Sequence, residues 1–152
     1  MPRETLRSFF TGGVSVIVGT VDAGGAPACC RGIAIATTDD FETVTVYVPV
    51  ATAQATVDNA GATRRVAVGC SHPLSHESIQ IKGIARDIRP AEADAEVFVR
   101  RRLEEFAAVL EQIGLPPHVT MSVAHWPAFA IDVSVEEVFD QTPGPRAGVP
   151  IG

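Results

Sequence analysis

The chain has 152 residues, 46% hydrophobic and 20% charged, which places it among globular domains with a substantial core rather than disordered chains. Twelve basic against eighteen acidic residues leave a formal net charge of −6. A surface that tracks nucleic-acid phosphates needs a basic stripe, so a nucleic-acid partner is disfavoured. No apolar run approaches membrane-spanning length, and the opening MPRETLRSFF has no apolar signal core, so neither a membrane partner nor export is expected. Cys29, Cys30 and Cys70 form no even, spaced framework and read as reduced thiols, in keeping with a cytoplasmic location.

Thr5 to Phe10 reads as a short helical lead with Leu6, Phe9 and Phe10 on one side. Val14 to Val21 is the first strand. It is apolar on both parities, so burial on both faces or a subunit contact is expected. Asp22 to Gly25 forms a turn whose two glycines supply positive φ. The second strand runs from Pro27 to Ala36. Cys29, Arg31, Ile33 and Ile35 share one parity, and the smaller Ala28, Cys30, Gly32, Ala34 and Ala36 share the other. A guanidinium among isoleucines is costly unless paired. Either its stem lies on apolar surface with the head in water or on a carboxylate, or the head meets an anion. Phosphate suits that planar fork of donors.

Beyond a polar loop, 37–42, the third strand runs from Thr43 to Val50, and Pro49 marks an edge or a departure point. Thr52 reads as the N-cap of a helix from Ala53 to Ala60 closed by Gly61. A strand that runs straight into a helix start offers free N–H groups and the positive dipole end to an anion; a plain capping hydroxyl is the alternative. Arg64 to Ser71 is the fourth strand. Cys70, His72 and His76 then gather near one loop, but their spacing matches no standard zinc pattern, and no metal is assigned.

Ser78 to Pro90, SIQIKGIARDIRP, is the pivotal strand. Ile79 and Ile81 alternate, and beyond Gly83 the apolar Ile84 and Ile88 fall on the other parity. A glycine where the period slips predicts a bulge or bend, the device by which small barrels close. A helix is expected from Pro90, with Val99, Leu103, Phe106, Leu110 and Ile113 on one face, Arg100, Arg101 and Arg102 on the wet side, and Gly114 as its stop. A short helical piece reaches towards His125, and Ala128 to Asp140 is the last, half-exposed strand. The tail QTPGPRAGVPIG, residues 141–152, is too rich in Pro and Gly for regular structure. It reads as an arm, one that could lie across a neighbour.

These elements make residues 1–140 one mainly β (α+β) domain: a six-stranded antiparallel split β-barrel with a short helix after strand three and a longer one before the last strand. Three stretches, RGIAIA from Arg31, VYVPVATAQATVDNAG from Val46 and SIQIKGIARDIRP from Ser78, resemble in order and spacing the pyridoxamine 5′-phosphate oxidase-like, FMN-binding split-barrel family. The likeness spans Leu6 to Asp140. It implies an FMN-dependent oxidoreductase acting on a small molecule, working as a homodimer with flavin between subunits. It further implies that the strand of Arg31, Gly32 and Ile33 lines the flavin, with Arg31 on its phosphate. Tyr47 and Val48 would lie along the ring and ribityl chain, Thr52 and the two residues after it would hold the phosphate, and Ser78 would touch the ring. Ala53 and Gln54 stand where the family has a basic pair, and Ala36 where the oxidases have lysine. The oxidases' C-terminal tryptophan and arginine have no match in the tail. Vitamin B6 oxidation is therefore disfavoured. The alternative is a non-catalytic module, or one that takes deazaflavin F420 or haem in place of FMN.

Overall fold

The computed structural model describes residues 3–151. In chain order the elements are α1 (Arg3–Phe10), β1 (Ser15–Val21), β2 (Pro27–Gly32), β3 (Ala34–Thr37), β4 (Thr43–Pro49), α2 (Val50–Thr63), β5 (Arg65–Ser71), β6 (Ser78–Pro90), α3 (Ala95–Glu111), α4 (Pro117–Met121), β7 (Ala128–Asp140) and β8 (Val149–Pro150). The strands form one antiparallel sheet in the order β2-β1-β5-β6-β7-β4-β3, with β8 added to β7. The two ends of that order, β2 and β3, follow one another in the chain with only Ile33 between them. The sheet is therefore curled, and the chain steps from one edge to the other at a single seam.

Period-2 burial builds the interior. Val18, Val46, Val68, Ile81 and Ile131, one from each of five strands, are completely buried. Helix α2 covers one opening, with Ala53 and Ala60 buried in the same core and the Thr63 hydroxyl donating to the Val21 carbonyl at 2.9 Å. A smaller cluster lies outside the barrel, where Ile33 and Ala34 pack on Val99 and Leu103 of α3.

The register explains the curl. Between Lys82↔Glu137 and Gly83↔Val135 one residue of β7, Glu136, has no partner; between Ala85↔Val133 and Asp87↔Asp132 the unpaired residue is Arg86 of β6. Each strand thus contributes one bulge, and bulges sharpen the local bend and twist. Gly83 does sit at a bulge, but its own strand keeps phase there. Residues 79, 81, 83 and 85 are all buried, and β6 changes face only at Arg86. Gly83 is required by a close approach, since a Cβ there would collide with the Ser134 carbonyl oxygen.

The structure corrects several boundaries. The sheet has eight strands, not six, because the expected second strand is broken at Ile33 and the tail adds β8. Helix α2 starts at Val50. Its N-cap is Pro49, with φ −69° and no capping side chain, so a ring-fixed φ replaces the expected threonine cap. The helix runs through Gly61 and ends where Arg64 turns left-handed at φ 63°. Pro90 ends β6 instead of opening a helix, because pairing with β7 continues to Phe129 and the Ala91 N–H donates to the Ala128 carbonyl. Arg102 is not on the wet side. It donates to the Thr11 carbonyl and to Glu105 and lies over the Phe98 ring. The tail folds back on its own sheet, with Ile151 buried in the main core and its N–H donating to the Val138 carbonyl at 2.8 Å.

Candidate functional site

Strand β2 has two faces with different neighbours. Cys30 is buried against Thr56 of α2; burial pushes its thiol pKa up, and the Thr56 hydrogen bond opposes that shift. Gly32 is buried against Val16, whose Cγ1 would stand 2.7 Å from any added Cβ. Both point inwards, so Arg31, between them, points outwards. Its guanidinium is exposed and lies 5.6 Å from the centre of the Phe106 ring on α3. Ile33 is buried at the seam, and its N–H donates to the Tyr47 carbonyl at 2.9 Å.

Tyr47 is half-buried on the outer face of β4, its ring 5.8 Å from that of Phe98. Burial raises its phenol pKa, and Arg89 nearby counteracts this. Arg89 is held by Asp132 at 2.8 Å and Asp87 at 2.9 Å, and Asp132 also accepts the Thr45 hydroxyl at 2.6 Å. Sequence reasoning missed this network. The alternation of β7 placed Asp132 on the outer face, but nothing in the sequence showed Arg89 arriving beside it past a bulge. Val48 is fully buried in the core and offers no surface to a ligand.

Thr52 is the third residue of α2 and is exposed. Because Thr63 meets Val21 and Thr56 meets Cys30, α2 runs alongside β2. At about 1.5 Å of rise per residue, its start falls beside Gly32. Arg31 and Thr52 are therefore close along the chain path but lie on opposite faces of β2. Gln54 is occupied locally, its amide donating to Asp58 at 2.8 Å. Ser78 is elsewhere. Its hydroxyl is 2.8 Å from that of Ser71, and it borders a cavity of about 390 Å³ with His72, Asp140 and Thr142. Cys70 faces the interior, and burial lifts its thiol pKa to about 12. His72 turns into the loop, accepting from the Leu74 and Ser75 N–H groups.

The pairing registers organise the outer face into rows. One row runs Cys29, Gly19, Ala67, Lys82, Glu137 across β2, β1, β5, β6 and β7; the next runs Arg31, Ile17, Gly69, Gln80, Phe139; a third holds Ser15, Ser71 and Ser78. Small residues at the middle of these rows make a trough between Cys29 on one side and Lys82 on the other, with a cavity of about 460 Å³. Ile17, in the next row beside it, is 42% exposed. The first strand is thus buried on one face only within a single copy. Arg31 and Ser78 share this outer face, three strand spacings, about 14 Å, apart.

No protein-family model matches the chain, and no curated protein matches it. Several solved structures do. HupZ of Group A Streptococcus is 19% identical, with a TM-score of 0.59, covering 97% of this chain and 100% of its own. An F420 reductase is 16% identical, with a TM-score of 0.57, covering 87% of this chain and 94% of its own. A pyridoxamine 5′-phosphate oxidase-related, FMN-binding protein of Nostoc punctiforme is 14% identical, with a TM-score of 0.52, covering 95% and 85%. Over nearly its whole length the chain has the fold of the pyridoxamine 5′-phosphate oxidase-like, FMN-binding split barrels.

Proposed function

We propose that this protein binds a flavin nucleotide, FMN in the first place, as a homodimer, and serves in electron transfer to or from a small molecule. The observation that carries the reading is the trough on the outer face. Gly19 and Ala67 form a floor without protruding side chains, open to a planar ring system, with Cys29 and Lys82 at its two sides. Among the described residues no helix of this chain packs over that floor. A second copy docked there would cover the exposed Ile17 and enclose the cofactor between two walls.

The residues fit such a group in part. The first turn of α2 and Thr52 lie on the other face of β2 from the trough, and Gln54 is engaged with Asp58, so the phosphate of a ring seated in the trough would meet Lys82 and Arg65 at the rim instead. Charge-assisted hydrogen bonds are worth about 1.5–3 kcal/mol each, and Arg65 is shared with Glu136, so the phosphate grip is weak. When bound, the flavin supplies the redox chemistry; the protein supplies a flat, water-poor surface and hydrogen-bond donors.

The test is a titration of purified protein with FMN, F420 and haem, followed by absorbance and flavin fluorescence. Saturable binding of FMN near one per chain, weakened by Lys82→Gln, is expected. No spectral change with FMN would remove the reading, and saturation by F420 or haem alone would replace the cofactor. Sedimentation should give a dimer, converted to monomer by Ile17→Asp; a wild-type monomer would remove the dimer.

A further inference from the structure

We propose that the cleft between α3 and α4, under the guanidinium of Arg31, binds a small monocarboxylate with an apolar, ring-sized body. The cleft has a volume of about 130 Å³. Leu103, Phe106 and Leu110 of α3 form one wall, and Leu115, Val119 and Val123 form the other. An apolar cavity of about 150 Å³ holds benzene, so this one takes a single ring or a branched chain of similar size. Its mouth is apolar as well, since Leu115 and Val119 stay 37% and 42% exposed.

Arg31 is the charged residue of the lining. Among the described residues it makes no ion pair, whereas its neighbours on α3 all do: Arg100 with Glu104, and Arg101 and Arg102 with Glu105. Arg31 instead lies over Phe106, a wall of the cleft. A cation without a carboxylate at the mouth of an apolar pocket matches a ligand that carries both missing parts, an apolar body for the walls and a carboxylate for the planar fork of donors. Amines are repelled by the same charge. The cleft and the trough share no lining residue, so the acid and a flavin in the trough bind together. The cleft stands whether or not a flavin binds elsewhere.

The experiment uses the full chain with ¹³C-labelled Leu and Val methyl groups, titrated with benzoate, benzyl alcohol and benzylamine, each with and without FMN. Benzoate is expected to shift the methyl signals of Leu103, Leu110, Val119 and Val123 saturably, binding about tenfold or more tightly than the alcohol. Benzylamine is expected not to bind. Arg31→Gln, at an exposed position, should abolish the preference for benzoate over the alcohol while circular dichroism stays unchanged. Val123→Phe, which fills the cleft, should remove binding of both. No saturable shift with benzoate at millimolar concentration overturns the proposal, as does equal affinity for acid and alcohol in the wild-type protein. Displacement of benzoate by FMN overturns the assignment of Arg31 to the acid. Benzoate binding without FMN binding leaves the cleft standing and removes the flavin reading alone.

Discussion

Gly83→Ala tests how the sheet closes. The added methyl group would collide with the Ser134 carbonyl oxygen and come within 2.9 Å of Val133 Cγ1. The carbonyl cannot swing away freely, because Ser134 pairs with Ile84 and Val135 pairs with Gly83 at the β7 bulge. Relief requires β6 and β7 to separate locally. Two ladder hydrogen bonds at about 1 kcal/mol each, with at least about 1 kcal/mol of overpacking strain, give a loss of about 3 kcal/mol. That is a large share of the ~5–15 kcal/mol that holds a domain of this size together. Urea unfolding of the wild-type and variant proteins measures it, with Gly69→Ala as the reference. A Cβ at Gly69 meets nothing within 4 Å, and that variant should not be destabilised, gaining up to about 1 kcal/mol from the lost glycine freedom. If Gly83→Ala stays within about 0.5 kcal/mol of wild type, the close approach of β7 is not what demands glycine there.

Gly61 lies inside α2, and a Cβ there meets nothing within 4 Å, so Gly61→Ala should stabilise the protein by about 0.5–1 kcal/mol through helix propensity, read from the same urea curves; destabilisation would contradict the helical assignment of that turn. In the monomeric Ile17→Asp variant at pH 8 only the exposed Cys29 should react quickly with a thiol reagent, because burial raises the Cys30 pKa and lifts that of Cys70 to about 12, leaving both as thiols; all three should react in denaturant, and rapid native labelling of Cys70 would contradict its burial. Asp140 accepts from the Thr142 N–H at 2.9 Å, which with the Thr142 hydroxyl and Arg146 lowers its pKa below the ordinary 3.8. A depressed carboxyl pKa gives stability that is present above the ordinary value and lost as pH falls through the folded one. The protection factors of the Val149 and Ile151 amides, corrected for intrinsic rate, should therefore fall at acid pH before those of β1. Simultaneous release of both would refute a separate anchor.

Alternation made the strands legible, because inward residues must be apolar and outward ones need not be. The last strand, Ala128 to Asp140, and the start of the pivotal strand at Ser78 are found where the pattern placed them. What escaped the sequence was decided by non-local pairing. The phase change attributed to Gly83 belongs to Arg86 and, on the other strand, to Glu136, because a bulge is a relation between two strands. The helix start moved to Val50 because a proline's fixed φ did the work expected of Thr52. Pro90 stayed extended because β7 held it. At the candidate site, Arg31 was recognisable as a charge out of place on an apolar strand, but its companion could not be read. Phe106 lies far along the sequence and reaches Arg31 only through the packing of α3. The tail looked irregular, yet a single isoleucine, Ile151, finds a place in the core.

The step at Ile33 ties ligand binding to the whole molecule. The sheet closes at that step only with β1 paired to β5 and β4 paired to β7, the second pair drawn from opposite halves of the sequence. A half-assembled chain therefore has neither the cleft under Arg31 nor the start of α2 beside Gly32, and nothing that binds at this junction can bind to it. Occupancy at one hundred times the dissociation constant would then add about 2.7 kcal/mol to the global unfolding free energy. A thermal-shift screen of small molecules, run beside Arg31→Gln, should thus pick out those that bind at the junction, whatever reaction the protein carries out.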